Sequence, residues 1–236
     1  ALMIGGVLVV VMALALLTER VAFRPLRNSN PSTLLISSFA VSYFLQNLVM
    51  LVHTGRPKSV GIGQGLANAV EIGGVRVPGI QLLTMVVTAG LLVALVLFLK
   101  KTPLGIQMRA AAENFQMARL LGMPANRVIA LAFAISGLLG GAVSLLLTIQ
   151  TGTLDLRMGL MPVVYAFFAT VIGGMGSLPG AALGGFLVGV VSVLLQTYLP
   201  ADLRPFRDAG VFMMVILILL VRPQGLIVTS AAKERV

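Results

Sequence analysis

Six stretches of this chain, 1–17, 28–55, 77–99, 128–154, 158–201 and 209–221, contain no aspartate, glutamate, lysine or arginine. A helix needs about 20 apolar residues to cross the hydrocarbon core of a bilayer. The four middle runs reach that length, and the first and last fall short. The run 158–201 is too long for one span and is broken at Gly173-Gly174-Met175-Gly176-Ser177-Leu178-Pro179-Gly180, which reads as a tight turn between two spans. The pattern predicts about seven spans. They are helical, because an α-helix satisfies its backbone internally and no alternating strand pattern of a membrane barrel is visible. The fold class expected is all-α: a polytopic helical membrane protein, one transmembrane domain over 1–236 with a short helix in the loop 100–127. Composition agrees, since only 10% of residues are charged against about 25% in an ordinary soluble domain.

The net charge of +10 is distributed along the ends of the apolar runs and not gathered on one polar face, which argues against a nucleic-acid surface. Positive-inside bias accounts for it better. With the carboxyl terminus in the cytoplasm, the inner segments hold Arg20, Arg24, Arg27, Lys100, Lys101, Arg109, Arg119, Arg127, Arg222, Lys233 and Arg235. The outer ones hold Arg56, Lys58, Arg76, Arg157, Arg204 and Arg207. This orientation places Ala1 outside. A start at alanine with no basic lead and no cleavage site predicts that further amino-terminal sequence, with one or more helices, precedes it in the whole protein.

Several chemistries are excluded by residue type. There is no cysteine, so disulfides and thiolate sites are absent from this sequence. His53 is the single histidine, which leaves neither a zinc ligand set nor a convincing serine–histidine pair for an intramembrane protease. No Gly-x-x-x-x-Gly-Lys-Ser/Thr phosphate loop occurs.

The proposed spans carry no ionisable side chain in their interior. Gradient-driven transporters commonly place carboxylates at membrane depth, so proton or sodium coupling is disfavoured, although carbonyls and hydroxyls alone can hold sodium. Energy would then enter through the inner loops. Polar uncharged residues do occur at depth: Ser38, Ser42 and Gln46 share a helix face with Asn47 beside it, and Ser136, Ser144 and Thr148 form a second stripe. Either stripe offers hydrogen bonds to a polar solute or to a neighbouring helix. Gly137 with Gly141, Gly180 with Gly184, and Gly185 with Gly189 are each four apart, the spacing that lets membrane helices approach closely. The outer segment 54–79 is glycine-rich, with a hairpin expected at 70–77 around Gly73-Gly74. The tail after Pro223 is short and polar and is expected to fray.

The longest inner segment runs from Lys100 to Arg127. Its alanines, Glu113 and Leu120-Leu121 favour one short helix, stopped by Gly122 and Pro124. Arg109, Glu113, Gln116 and Arg119 would lie on its exposed side beside apolar residues, as in a helix at the interface that grips another protein. Ala111-Ala112-Glu113 followed by Ala118 and Leu121-Gly122 resembles the coupling-helix loop of ATP-binding-cassette importer permeases.

Three more segments narrow the resemblance: Glu19-Arg20 through Arg24-Pro25-Leu26-Arg27, Ile172 through Ala181 with Gly184-Gly185, and Arg222-Pro223-Gln224-Gly225-Leu226. With the loop they resemble, in order and over almost the whole chain, the high-affinity branched-chain amino acid permeases of the LivH type. The resemblance implies a multi-pass protein of the bacterial cytoplasmic membrane that is not itself an enzyme and binds no cofactor. ATP and Mg²⁺ would be held by two cytosolic ATPase subunits docked on Ala111, Ala112, Glu113, Ala118, Leu121 and Gly122. A second permease subunit of the LivM type, an extracytoplasmic solute-binding protein and membrane lipid would be the other partners. Urea, short-chain amides and other amino acids are alternative solutes, and a gradient-driven carrier or channel is the alternative of a different class.

Overall fold

The computed structural model describes residues 2–27, 29–53, 57–59, 61, 69–72, 75–174, 176–222 and 225–227. The chain forms two compact units, Ala1–Arg157 and Met158–Val236.

In the first unit, α1 (Leu2–Thr18) runs directly into a π-helical turn (Glu19–Phe23). It is followed by α2 (Pro31–His53), α3 (Gly79–Lys101), α4 (Pro103–Glu113), α5 (Phe115–Leu120) and α6 (Ala125–Thr151). Two small antiparallel ladders lie outside the helices. β1 (Lys58–Ser59) pairs with β4 (Thr153–Leu154), Lys58 opposite Leu154. β2 (Ala69–Ile72) pairs with β3 (Val75–Pro78), Val70 opposite Val77, so the expected hairpin is present. Its Gly73-Gly74 turn lies outside the described residues, as does the side chain of His53.

The main packing contact of this unit is α1 along α6. Gly137 and Gly141 make it possible: a β-carbon on Gly137 would stand 2.7 Å from that of Ala15, and one on Gly141 would meet Leu8 at 3.2 Å. Close backbone approach replaces the hydrophobic driving force that is missing between helices in lipid. By contrast, the apolar windows of α2 and α3 contain no buried residue. The surfaces of these two helices are left uncovered by the rest of the described chain.

The second unit contains α7 (Leu160–Gly173), α8 (Leu178–Tyr198), a 3-10 turn (Ala201–Phe206) and α9 (Arg207–Val221). Ile172, Val188, Val211 and Val215 form its core, flanked by Phe168 and Phe212, whose ring centroids are 5.0 Å apart. The turn between α7 and α8 falls at the expected glycines. Gly174 and Gly176 take positive φ, and buried Ser177 caps α8 by accepting from the amide of Gly180 at 3.1 Å.

At residues 225–227 the tail departs from expectation. Leu226 donates its amide to the carbonyl of Ile172 at 2.8 Å and Ile227 to that of Gly173 at 3.1 Å, so residues 225–227 are docked on the end of α7 and do not fray. The reason is that the last carbonyls of a helix need partners, and those of α7 find them in the tail. Residues 228–236 lie outside the described set.

Among the described residues, five helical segments are long and apolar enough to cross a membrane: Met3–Phe23, Ser32–Val52, Gly79–Lys101, Ala125–Thr151 and Leu178–Tyr198. The two further spans of the sequence reading correspond to α7 and α9, which are apolar but only 14 and 15 residues long. At 1.5 Å per residue they rise about 21–23 Å, short of a hydrocarbon core of about 30 Å. The architecture is that of a polytopic, all-α membrane protein.

Candidate functional site

The loop between α3 and α6 is built by caps. Thr102 leaves the helical region (φ −95°, ψ 145°) and its hydroxyl accepts the amide of Gly105 at 3.0 Å, while Pro103 occupies the first turn of α4. An N-cap threonine followed by proline is a strong helix start, and here it turns the chain sharply out of α3.

The single loop helix expected from sequence is two helices. Asn114 breaks it: with φ −147° and ψ 97° it ends α4 and begins α5, and its side-chain oxygen accepts the amide of Met117 at 3.0 Å. Asparagine offers the backbone a partner that competes with the helical ladder, and that local bond outweighs the helix propensity of the flanking alanines.

The expected stop does hold. The amide of Met123 bonds the carbonyl of Ala118 and that of Gly122 the carbonyl of Arg119, both at 3.1 Å, the paired bonds of a Schellman motif. Gly122 sits at φ +88°, a left-handed conformation that costs a residue with a β-carbon about 1–2 kcal/mol.

Of the loop residues singled out by sequence, Ala118 is buried and Ala111 half-buried, so they hold the loop against its own unit. Ala112, Glu113, Leu121 and Gly122 are exposed. Leu120 and Leu121 stand 82% and 83% exposed, next to exposed Phe115 and Met117. Glu113 makes no salt bridge among the described residues. The two capped helices thus expose one carboxylate and two leucines.

Behind this face lies an ionic joint that the sequence reading missed. Glu19, 5% exposed, is bonded by Nη2 of Arg27, whose Nη1 bonds Oδ1 of Asn126 at the start of α6. The segment 19–27 and the loop segment 100–127, recognised separately in the sequence, therefore meet. The other two recognised segments also meet, through the bonds of Leu226 and Ile227 to Ile172 and Gly173. No local sequence signal joins residues so far apart.

The two polar stripes are not alike. On α2, Ser38 donates to the carbonyl of Leu35, Gln46 to the hydroxyl of Ser42 at 3.3 Å, and Asn47 to the carbonyl of Tyr43. All of these bonds stay within the helix and leave Ser42 and Asn47 exposed. On α6, Thr148 is buried and donates to the carbonyl of Ser144, which is half-buried, whereas Ser136 is exposed. Among these bonds none joins one helix to another. In the second unit Gly180 and Gly184 press against the backbone of α7 at Gly173 and Ala169, a β-carbon on Gly185 would stand in ordinary contact with that of Ala169 at 3.7 Å, and one on Gly189 would meet nothing within 4 Å. Gly185 and Gly189 instead border a shallow groove of about 240 Å³ with Tyr165 and Ser192.

Known proteins give the loop its context. A family profile described as "Branched-chain amino acid transport system / permease component" matches residues 1–222. The high-affinity branched-chain amino acid transport system permease protein BraD of Pseudomonas aeruginosa is 38% identical over 214 residues, 89% of this chain and 68% of that protein. LivH of Escherichia coli, with the same description, is 36% identical over 225 residues, 94% of this chain and 72% of that protein. The ribose import permease protein RbsC of Haemophilus influenzae is 27% identical over 169 residues, 67% of this chain and 52% of that protein. No solved structure matches the chain. A profile match over residues 1–222 and relatives this similar place the chain in the family of permease components of branched-chain amino acid transport systems.

Proposed function

We propose that this chain is a translocation subunit of an ATP-binding-cassette importer and that its solute is a branched-chain amino acid. The observation that carries the reading is the doubly capped loop between α3 and α6. It presents Glu113, Leu120 and Leu121 outward in a chain whose relatives are named as transport permeases. In this reading the loop and the carboxyl terminus face the cytoplasm. Two ATPase subunits grip the loop, a second permease of the LivM type pairs with this one, and an extracytoplasmic binding protein delivers the solute. ATP and Mg²⁺ stay on the ATPase subunits. Closure of the ATPase pair shifts the population of the spans between two access states, which requires the loop to bind the two states with different affinity.

Leucine uptake by cells carrying the intact operon tests this. Glu113→Arg, and separately deletion of the ATPase subunits, is expected to abolish uptake while the permease still reaches the membrane. Uptake that persists without the ATPase subunits makes the protein a carrier or channel. Competition with unlabelled isoleucine, ribose, urea and acetamide ranks the solute, and ribose belongs in that set because of the relative named for it.

A further inference from the structure

A cleft of about 1030 Å³ opens in the first unit between the segment after α1 and the loop ahead of α6. Four arginines line it, Arg24, Arg27, Arg119 and Arg127, and Phe115 and Leu34 stand among its apolar wall. Arg24, Arg119 and Arg127 are exposed, no acidic residue is among the lining, and Glu19, the partner of Arg27, is buried. The cleft is therefore strongly cationic with no internal neutraliser. It also takes in Pro124 and Ala125, where α6 begins without a side-chain cap. The amino end of a long helix adds positive potential and free amides for an anion. The apolar wall at Leu34 continues into α2, whose window contains no buried residue.

We infer that this cleft binds the headgroup of an anionic phospholipid of the inner leaflet, with acyl chains along the open face of α2. A phosphodiester matches the arginines and the helix end. Its chains match the uncovered apolar surface that a soluble anion would leave bare, and an acidic protein segment would leave that membrane-level surface uncovered too. Basic pockets between membrane helices on the cytoplasmic side recognise lipids in this way. Because Phe115 and Arg119 belong to α5, the lipid bridges the ATPase-docking loop to the segment after α1. The inference rests on the orientation proposed above, and its test reads lipid retention in detergent, which is independent of transport.

The full chain, purified in detergent, is incubated with phosphatidylglycerol or phosphatidylcholine at equal concentration, and retained lipid is measured by native mass spectrometry. Selective retention of phosphatidylglycerol is expected. Arg24→Gln and Arg119→Gln are each expected to weaken it about fivefold, from roughly 1 kcal/mol per basic residue near an anionic surface. Arg119→Lys is expected to retain it, which separates lost charge from lost fold, and Arg76→Gln on β3 serves as a distant control. Equal retention of the two lipids, or equal loss in the Arg76→Gln control, overturns the inference. Displacement by millimolar inorganic phosphate assigns the site to a soluble anion and overturns it. Displacement by the purified ATPase subunits, with lipid retention indifferent to the arginine variants, assigns the cleft to a protein and overturns it as well.

Discussion

Tyr165 on α7 donates a 2.6 Å hydrogen bond to Oδ1 of Asp208, in the first turn of α9, and Arg207 closes on the same oxygen at 3.0 Å. One carboxylate thus ties two helices of the second unit together. Tyr165→Phe removes the bond and nothing of the ring's packing. The expected loss is about 1–2 kcal/mol, the range for a bond to a charged acceptor reduced for partial exposure. It is read as a lower midpoint of thermal unfolding in detergent, with Tyr198→Phe, whose hydroxyl makes no side-chain bond among the described residues, unchanged.

Gly184 and Gly189 lie on the same helix, yet only Gly184 touches a backbone, that of Ala169 and Gly173. Gly184→Ala forces α7 and α8 apart and is expected to cost about 1–3 kcal/mol. Gly189→Ala enters open space and, in a helix interior, is expected to be neutral or to stabilise by up to about 1 kcal/mol. Denaturant titration of both variants checks the contrast. Equal destabilisation would mean that α7 does not approach α8 as described.

Asn114→Ala removes the cap of α5 and the break between α4 and α5. The direct cost is about 1 kcal/mol, but the larger effect is geometric, since a continuous helix would re-aim Leu120 and Leu121. Leucine uptake is expected to fall at least about fivefold, the lower end of typical coupling free energies, with membrane level unchanged. Asn114→Asp preserves the acceptor and is expected to restore most of the uptake.

Arg27→Met strands Glu19, which is 5% exposed, without its partner. Breaking a buried pair from one side is expected to cost about 3–5 kcal/mol, whereas replacing both members by apolar residues is often neutral. The double variant Glu19→Leu with Arg27→Met is therefore expected to recover most of the unfolding midpoint lost in the single one. Failure to recover would show that the bond from Arg27 to Asn126 is the stronger half of the joint.

Five of about seven expected spans were legible because charge-free apolar runs carry a long, local signal, whereas run length alone did not show that α7 and α9 are short. The hairpin at 70–77 and the stop at Gly122 were legible for a related reason, since each depends on a few adjacent residues. The break at Asn114 was within reach, because asparagine is a favoured N-cap residue, but the surrounding alanines masked it. The joints of Glu19 with Arg27 and Asn126, and of Ile172 with Leu226, depend on chain topology, and spacing along a sequence does not encode which loop ends meet. Gly185 and Gly189 keep the four-residue spacing without a close backbone neighbour within this chain. The spacing marks a smooth helix face, and only a neighbour's position decides whether that face is used.

The small ladder between β1 and β4 has a mechanical consequence. It clasps the chain just beyond His53 to the chain just beyond Thr151, at the ends of α2 and α6 remote from the arginine-lined cleft. With the ladder as a fixed reference, a swing of α2 relative to α6 is felt most at the opposite end of the helix. An arm of 23 residues is about 34 Å long, so a tilt of about 10° at the clasp displaces the far tip by about 6 Å.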